Sequence, residues 1–179
     1  LRARAGGAAP VPARRHPDHA LVNLVALVGF VVILYGAQVA NFGAGLLCQG
    51  FPLCNGRLAP PASTMAMIHW THRALAFGFA GLVLGLAWRV MRRNSALPGM
   101  RGLRRSVAVT VLLTLAQVGV AAAMVLNLLP PTLRALHLLV GTAIWAALVV
   151  LAFISSRTPA EALNGEPAPA PSRMKDYVS

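Results

Sequence analysis

Five side chains in the 179-residue sequence have types suited to chemistry: His69, His72, His137 and the pair Cys48 and Cys54. A neutral imidazole presents a nitrogen lone pair that can bind a metal or take up a proton. His69 and His72 lie three residues apart in Ile68-His69-Trp70-Thr71-His72-Arg73. Arg73 follows His72 directly, and its planar guanidinium suits bidentate pairing with a carboxylate. His137 ends the run Leu133-Arg134-Ala135-Leu136-His137. The cysteines frame Cys48-Gln49-Gly50-Phe51-Pro52-Leu53-Cys54, followed by the turn-forming Asn55-Gly56 and by Pro60-Pro61. Paired thiols can close a disulfide, exchange electrons with a thiol carrier or ligate a metal.

The elements that must hold these residues are read from the composition. The chain is 57% hydrophobic and 11% charged, with a mean hydropathy of +0.67, which excludes an ordinary soluble domain. The net charge of +12 could point to nucleic acid, but the arginines sit in short clusters between long apolar runs, so no nucleic-acid partner is expected. Cutting the chain at charges, prolines and glycines leaves apolar segments at about Leu21 to Leu47, Thr64 to Val90, Ser106 to Leu129 and Thr132 to Ser155. Each exceeds the roughly 20 helical residues needed to cross a bilayer. The expected fold is all-α, an integral membrane four-helix bundle in the cell (inner) membrane. The first run is too long for a signal peptide and is expected to stay as the first span.

Arginine placement sets the expected orientation, because positively charged short segments stay cytoplasmic. Arg2, Arg4, Arg14 and Arg15 precede the first helix, and Arg89, Arg92, Arg93, Arg101, Arg104 and Arg105 cluster around the second connection. The other connections carry only Arg57 and Arg134. Both termini are therefore expected to be cytoplasmic, with the cysteine loop outside. The expected division is a disordered basic tail over 1–19, a bundle over 20–156 and a disordered tail over 157–179. His16 and His19, in or beside the first tail, are expected to do no chemistry.

Ionisable groups inside a membrane are expensive and mark functional sites. His72 lies about 12 Å into the second helix from its outer end, and His137 about 9 Å into the fourth from the same side. Two imidazoles at matched depth on two helices can supply both axial ligands of a heme iron. The alternative is that each packs between helices with a hydrogen-bonded partner. Arg73, Arg57 and Arg134 lie where they could pair with heme propionates, although Arg57 and Arg134 read equally well as interfacial anchors. Gly78, Gly81, Gly85, Gly119 and Gly141 permit close helix approach or room for a flat macrocycle. Phe77, Phe79, Trp70 and Trp145 read as core or interface aromatics.

In an oxidising compartment the expectation for the loop is a Cys48–Cys54 disulfide that staples it over the helix ends. A redox-active pair is the second reading. Metal binding is disfavoured, because two sulfurs without a nearby histidine or acid do not complete a zinc site. A short repeat, Ala37-Gln38-Val39 and Ala116-Gln117-Val118, precedes each helix that carries an early histidine. It suggests two helix pairs related by an axis along the membrane normal.

Gly43-Ala44-Gly45-Leu46 before Cys48, then Phe51-Pro52-Leu53-Cys54-Asn55-Gly56, the His-Trp-Thr-His-Arg run and the late Leu136-His137 together resemble the heme A synthase family. The resemblance covers about Tyr35 to Val150. It implies one four-helix half of a fold that usually has eight helices, with His72 and His137 as heme ligands and Cys48 and Cys54 as the outer cysteine pair. It also implies the family's reaction, oxidation of a heme O methyl to the formyl of heme A.

This chain departs from the pattern in two ways. It has four helices, so it would act as a homodimer or join a larger respiratory or photosynthetic membrane complex. His69 also stands where the family's catalytic half carries a glutamate, and no carboxylate occurs between Asp18 and Glu161. An imidazole can act as a base there without bringing negative charge. His69 is accordingly the candidate catalytic base, or a group touching the heme edge. Two readings follow: a compact heme A synthase with heme O and heme A as substrate and product, or a noncatalytic heme b subunit for electron transfer or assembly.

Overall fold

A computed structural model describes residues 16–59, 62–93 and 100–157. The expected tails fall outside these residues over 1–15 and 158–179. The chain forms α1 (His19–Asn41), a 3-10 turn (Ala44–Leu46), α2 (Thr64–Arg92), α3 (Met100–Leu126) and α4 (Pro131–Arg157). No strand occurs among the described residues beyond an isolated bridge between Cys54 and Arg57. All four helices are long and apolar enough to cross a membrane, and the protein is an all-α integral membrane bundle.

Local chemistry sets the helix ends. The first apolar run continues to Leu47, but α1 stops at Asn41 because Gly43 takes a left-handed conformation, φ +61°, which glycine adopts without a Cβ clash. Pro131 opens α4 as its first residue, where a missing N–H costs nothing. Before it, Leu128 and Leu129 are also left-handed, and Leu129 N–H donates to the Met124 carbonyl at 2.8 Å. That bond satisfies one carbonyl at the end of α3. α3 begins at Met100, earlier than its apolar run, because arginines are good helix formers. Arg104 also closes the end of α2, donating to the carbonyls of Met91 (2.9 Å) and Arg93 (2.5 Å).

The helices form a ring in which each packs on its chain neighbours and α4 returns to α1. Both ends of the ring are tied. His16 N–H donates to the Ser155 carbonyl at 3.1 Å, joining the start of α1 to the end of α4. At the opposite end the 3-10 turn approaches the α3–α4 turn so closely that a Cβ on Gly45 would overlap the Leu129 side chain.

Packing differs between the two halves of the bundle. The buried core draws on Val22 and Val25, on Phe79 to Val90, on Met100 to Val107 and on Ile144 to Leu151. These residues share the end that carries the basic α2–α3 connection. Toward the cysteine-loop end the ring opens into a cavity. Outward-facing leucines such as Leu112 (68% exposed) and Leu138 (72% exposed) would be an aggregation surface in water and form the hydrocarbon contact in a bilayer.

Candidate functional site

The cavity in the open half is lined by His69, His72 and Arg73 from α2, Gln117 from α3, His137 from α4 and Phe51 from the cysteine loop, among apolar residues. His72 lies eight residues into α2 and His137 six into α4, so helices of similar pitch bring them to similar depth from one end. The two rings line the same cavity. Nδ1 of His72 and Nδ1 of His137 are buried with no hydrogen-bond partner, as is Oε1 of Gln117. Gly36 makes room for the first ring, because a Cβ there would stand 3.1 Å from His72 Cε1.

His69 is bonded on both nitrogens. Arg73 Nε donates to its Nε2 at 3.2 Å, which places the ring proton on Nδ1, and Nδ1 donates to the Ala44 carbonyl at 3.1 Å. Ala44 lies between Gly43, which turns the chain, and Gly45, which admits Leu129. The glycine-rich run thus presents one carbonyl to one histidine.

Arg73 is 9% exposed and uses most of its donors on the loop. One terminal nitrogen donates to the carbonyls of Gly50 (2.9 Å) and Leu53 (3.1 Å), and the other to that of Cys48 (2.6 Å). With the bond to His69, four of its five N–H groups are engaged. Arg73 therefore clamps the loop onto α2. Arg134, on the first turn of α4, is exposed and does not line the cavity. Arg57 is also exposed and borders a second cleft with Trp70 and Phe77.

Cys48 and Cys54 form a disulfide, and both are buried. Around it, Gln49 N–H donates to Asn55 Oδ1 (2.9 Å), and Asn55 Nδ2 donates to the Leu47 carbonyl (3.1 Å). Asn55, at φ +51°, suits the left-handed turn. Phe51 reaches from this loop into the cavity and packs at a tilt against Phe77, with ring centroids 5.9 Å apart. Of the aromatics read from the sequence as core or interface, Phe77, Phe79 and Trp145 line the cavity. Trp70 instead donates to the Leu58 carbonyl at 3.1 Å.

Gln117 stood in the sequence only as part of a repeat. Its Nε2 donates to the main-chain carbonyl of His137 at 3.0 Å and stands 3.4 Å from that ring's Nε2. Its repeat partner Gln38 is exposed. The signal that could have marked Gln117 was a neutral polar side chain deep in an apolar helix.

Comparisons with known proteins place the sequence in a family. The chain is 34% identical over 131 residues to a heme A synthase of Symbiobacterium thermophilum, covering 73% of this chain and 42% of that protein. It is 33% identical over 155 residues to a heme A synthase of Rhodospirillum centenum, covering 76% and 40%. A protoheme IX farnesyltransferase 1 of Natronomonas pharaonis matches at 35% identity over 121 residues, 68% of this chain and 24% of that protein. The chain thus spans about two fifths of the length of these heme A synthases. No solved structure matches it significantly. The profile of the cytochrome oxidase assembly protein family, COX15-CtaA, matches residues 1–149, and the chain belongs to that family.

Proposed function

We propose that this chain holds a heme between His72 and His137 and serves heme A biosynthesis, with heme O methyl oxidation to the heme A formyl as the associated reaction. The observation that carries the reading is the pair of half-buried imidazoles lining one cavity, each with a buried Nδ1 that has no hydrogen-bond partner. An unpaired polar atom buried in a membrane is costly, and coordination would relieve it. Among the described residues no group of three or more histidine, cysteine, aspartate or glutamate side chains converges. Two ligands are too few for a protein-only zinc site but suit an iron that brings four macrocycle nitrogens. Bound heme would supply redox chemistry at its iron and an oxidisable methyl group at its edge.

The chain's own residues have distinct parts in this reading. His72 and His137 bind from two helices, while Phe51, Phe77 and Trp145 surround the site with apolar surface that excludes water. His69 and Arg73 hold the disulfide-closed loop in place. His69 as a catalytic base would first have to release Arg73, so its present contacts favour a positioning role. With no carboxylate between Asp18 and Glu161, this arrangement also supports the second reading, a noncatalytic heme b subunit. Arg134 lies on the same end and would meet a propionate only beyond the cavity rim. A homodimer or a larger membrane complex would supply the remainder of the longer relatives.

The test is a reduced-minus-oxidised spectrum of the detergent-purified chain, with mass identification of the extracted heme. A low-spin spectrum that disappears in both His72→Ala and His137→Ala is expected. Unchanged spectra in both variants overturn the ligand assignment. Heme O or heme A in the extract supports the synthase reading, and heme b alone supports the subunit reading.

A further inference from the structure

The end of the bundle opposite the histidine cavity carries a concentrated positive charge. Arg89 and Arg92 lie in the last turn of α2, with Arg93 next, and Arg101, Arg104 and Arg105 lie in the first turns of α3. Asp18 is the only carboxylate among the described residues. Holding helices in one orientation requires such charge but no particular arrangement of it. The arrangement here is specific. The Asp18 side chain is fully buried and engages two guanidinium groups at once. Arg93 donates from Nε to Oδ2 at 2.8 Å and from Nη2 to Oδ1 at 3.2 Å, while Nε and Nη2 of Arg89 both reach Oδ1 at 3.2 Å. Four residues apart, the two arginines share one face of α2. One carboxylate cannot neutralise two guanidinium groups, so the pair keeps excess positive charge in fixed positions. Its outer side is open, with the Arg89 side chain 58% exposed and that of Arg93 33%. Guanidinium groups held in place before a ligand arrives have already given up rotamer freedom, and their fork suits phosphate oxygens.

The surroundings of these arginines are those of a lipid boundary. Arg92 lies over the exposed ring of Trp88, 3.6 Å from its centroid. At the same end of α4, Arg157 lies 4.2 Å over the exposed Phe153 ring. Exposed aromatics topped by cations belong where hydrocarbon meets headgroups. Further into the span on the same side of α2, Gly81 and Gly85 are exposed, and a Cβ on either would meet nothing within 4 Å. A strip bare of side chains thus runs from the arginines toward the hydrocarbon. An acyl chain can lie along it, whereas a free phosphate ion has nothing to contact there.

We infer that Arg89, Arg92 and Arg93 form a headgroup site for an anionic phospholipid, with the phosphate on the guanidinium groups and an acyl chain along Gly81 and Gly85. The site is independent of the heme reading, since none of these residues lines the histidine cavity.

Trp88 reports on the site directly. In the full chain carrying Trp70→Phe and Trp145→Phe, bromine on a neighbouring lipid quenches Trp88 fluorescence. Vesicles contain phosphatidylcholine with about one part in five phosphatidylglycerol, and each lipid is brominated in turn. Phosphatidylglycerol is expected to be preferred about 5-fold at low salt. The preference should fall by about half or more in Arg92→Gln, and likewise in the double variant Asp18→Asn with Arg89→Gln. The double variant leaves net charge unchanged and dismantles the platform, so a preference that survives it overturns the proposal. Arg157→Gln, on α4, should keep the preference. Equal quenching by the two lipids in the parent protein overturns the site, and so does an equal loss in Arg157→Gln, which would mean diffuse attraction only. Inorganic phosphate that abolishes the preference where chloride at matched ionic strength does not would assign the arginines to a free anion and overturn the lipid. Circular dichroism checks that each variant keeps its helices. If the double variant loses them, Arg92→Gln decides, because that side chain stacks on Trp88 and does not pair with Asp18.

Discussion

Arg73 shows how one side chain can organise a functional end. Its guanidinium collects three loop carbonyls and one imidazole nitrogen, so the six-residue separation between Cys48 and Cys54 is braced from inside as well as closed by the disulfide. Hydrogen bonds to charged groups contribute about 1.5–3 kcal/mol each, and they are not additive here. Replacing Arg73 with Leu is expected to destabilise the protein by about 2–5 kcal/mol and to open the loop to trypsin at the exposed Arg57. Thermal unfolding in detergent and timed proteolysis measure both effects. Arg73→Lys should fail to restore wild-type behaviour, because an ammonium cannot fan its donors over the same partners. Wild-type melting and protection in Arg73→Leu would remove the clamp role.

Helix ends carry a second polar cluster, at the opposite side of the bundle from the cavity. Asp18 does not cap α1 with its side chain. Its buried carboxylate instead accepts from Arg89 at 3.2 Å and from Arg93 at 2.8 Å, joining the start of α1 to the end of α2. His16 lies beneath, its Nδ1 accepting the Asp18 N–H at 3.1 Å. Burial lowers the His16 pKa below its ordinary value of 6.5. Asp18 opposes that lowering, and Arg93 and His19 add to it. The folded protein therefore favours the neutral ring, and the unfolded chain takes up the proton first as pH falls below about 6.5. Stability should decline with falling pH from that point until the lowered native pKa is reached. His16→Asn keeps an acceptor for the Asp18 N–H and removes the titration, so its melting temperature should vary less between pH 7 and 5 than that of wild type. Equal slopes would show that His16 does not contribute.

The molecule as a whole is polarised, with a packed half and an open half, and both termini of the described bundle lie at the packed end. The arginine distribution predicts that this end is cytoplasmic. Single cysteines introduced as Asn127→Cys, at the end holding the cavity, and Arg101→Cys, at the basic end, test it with a membrane-impermeant maleimide. The native cysteines are bonded to each other and should stay silent. Asn127→Cys should react in intact cells and Arg101→Cys only after permeabilisation, and the reverse pattern overturns the orientation.

The number and type of spans were legible in the sequence because hydrocarbon imposes a length and an apolar composition that single residues cannot disguise. The histidines were legible for the same reason, since a polar group in that medium needs a purpose. The motif Gly43-Ala44-Gly45 was visible as a pattern, but its meaning lay in a left-handed turn, a carbonyl offered to His69 and contact with Leu129. Arg73 looked free to bind a carboxylate until the loop folded over it, and Gln117 looked like half of a repeat until α3 and α4 came into register. Composition and periodicity report the average surroundings of a helix. Which nitrogen faces which carbonyl depends on distances across helices, and those exist only once the ring of four has closed.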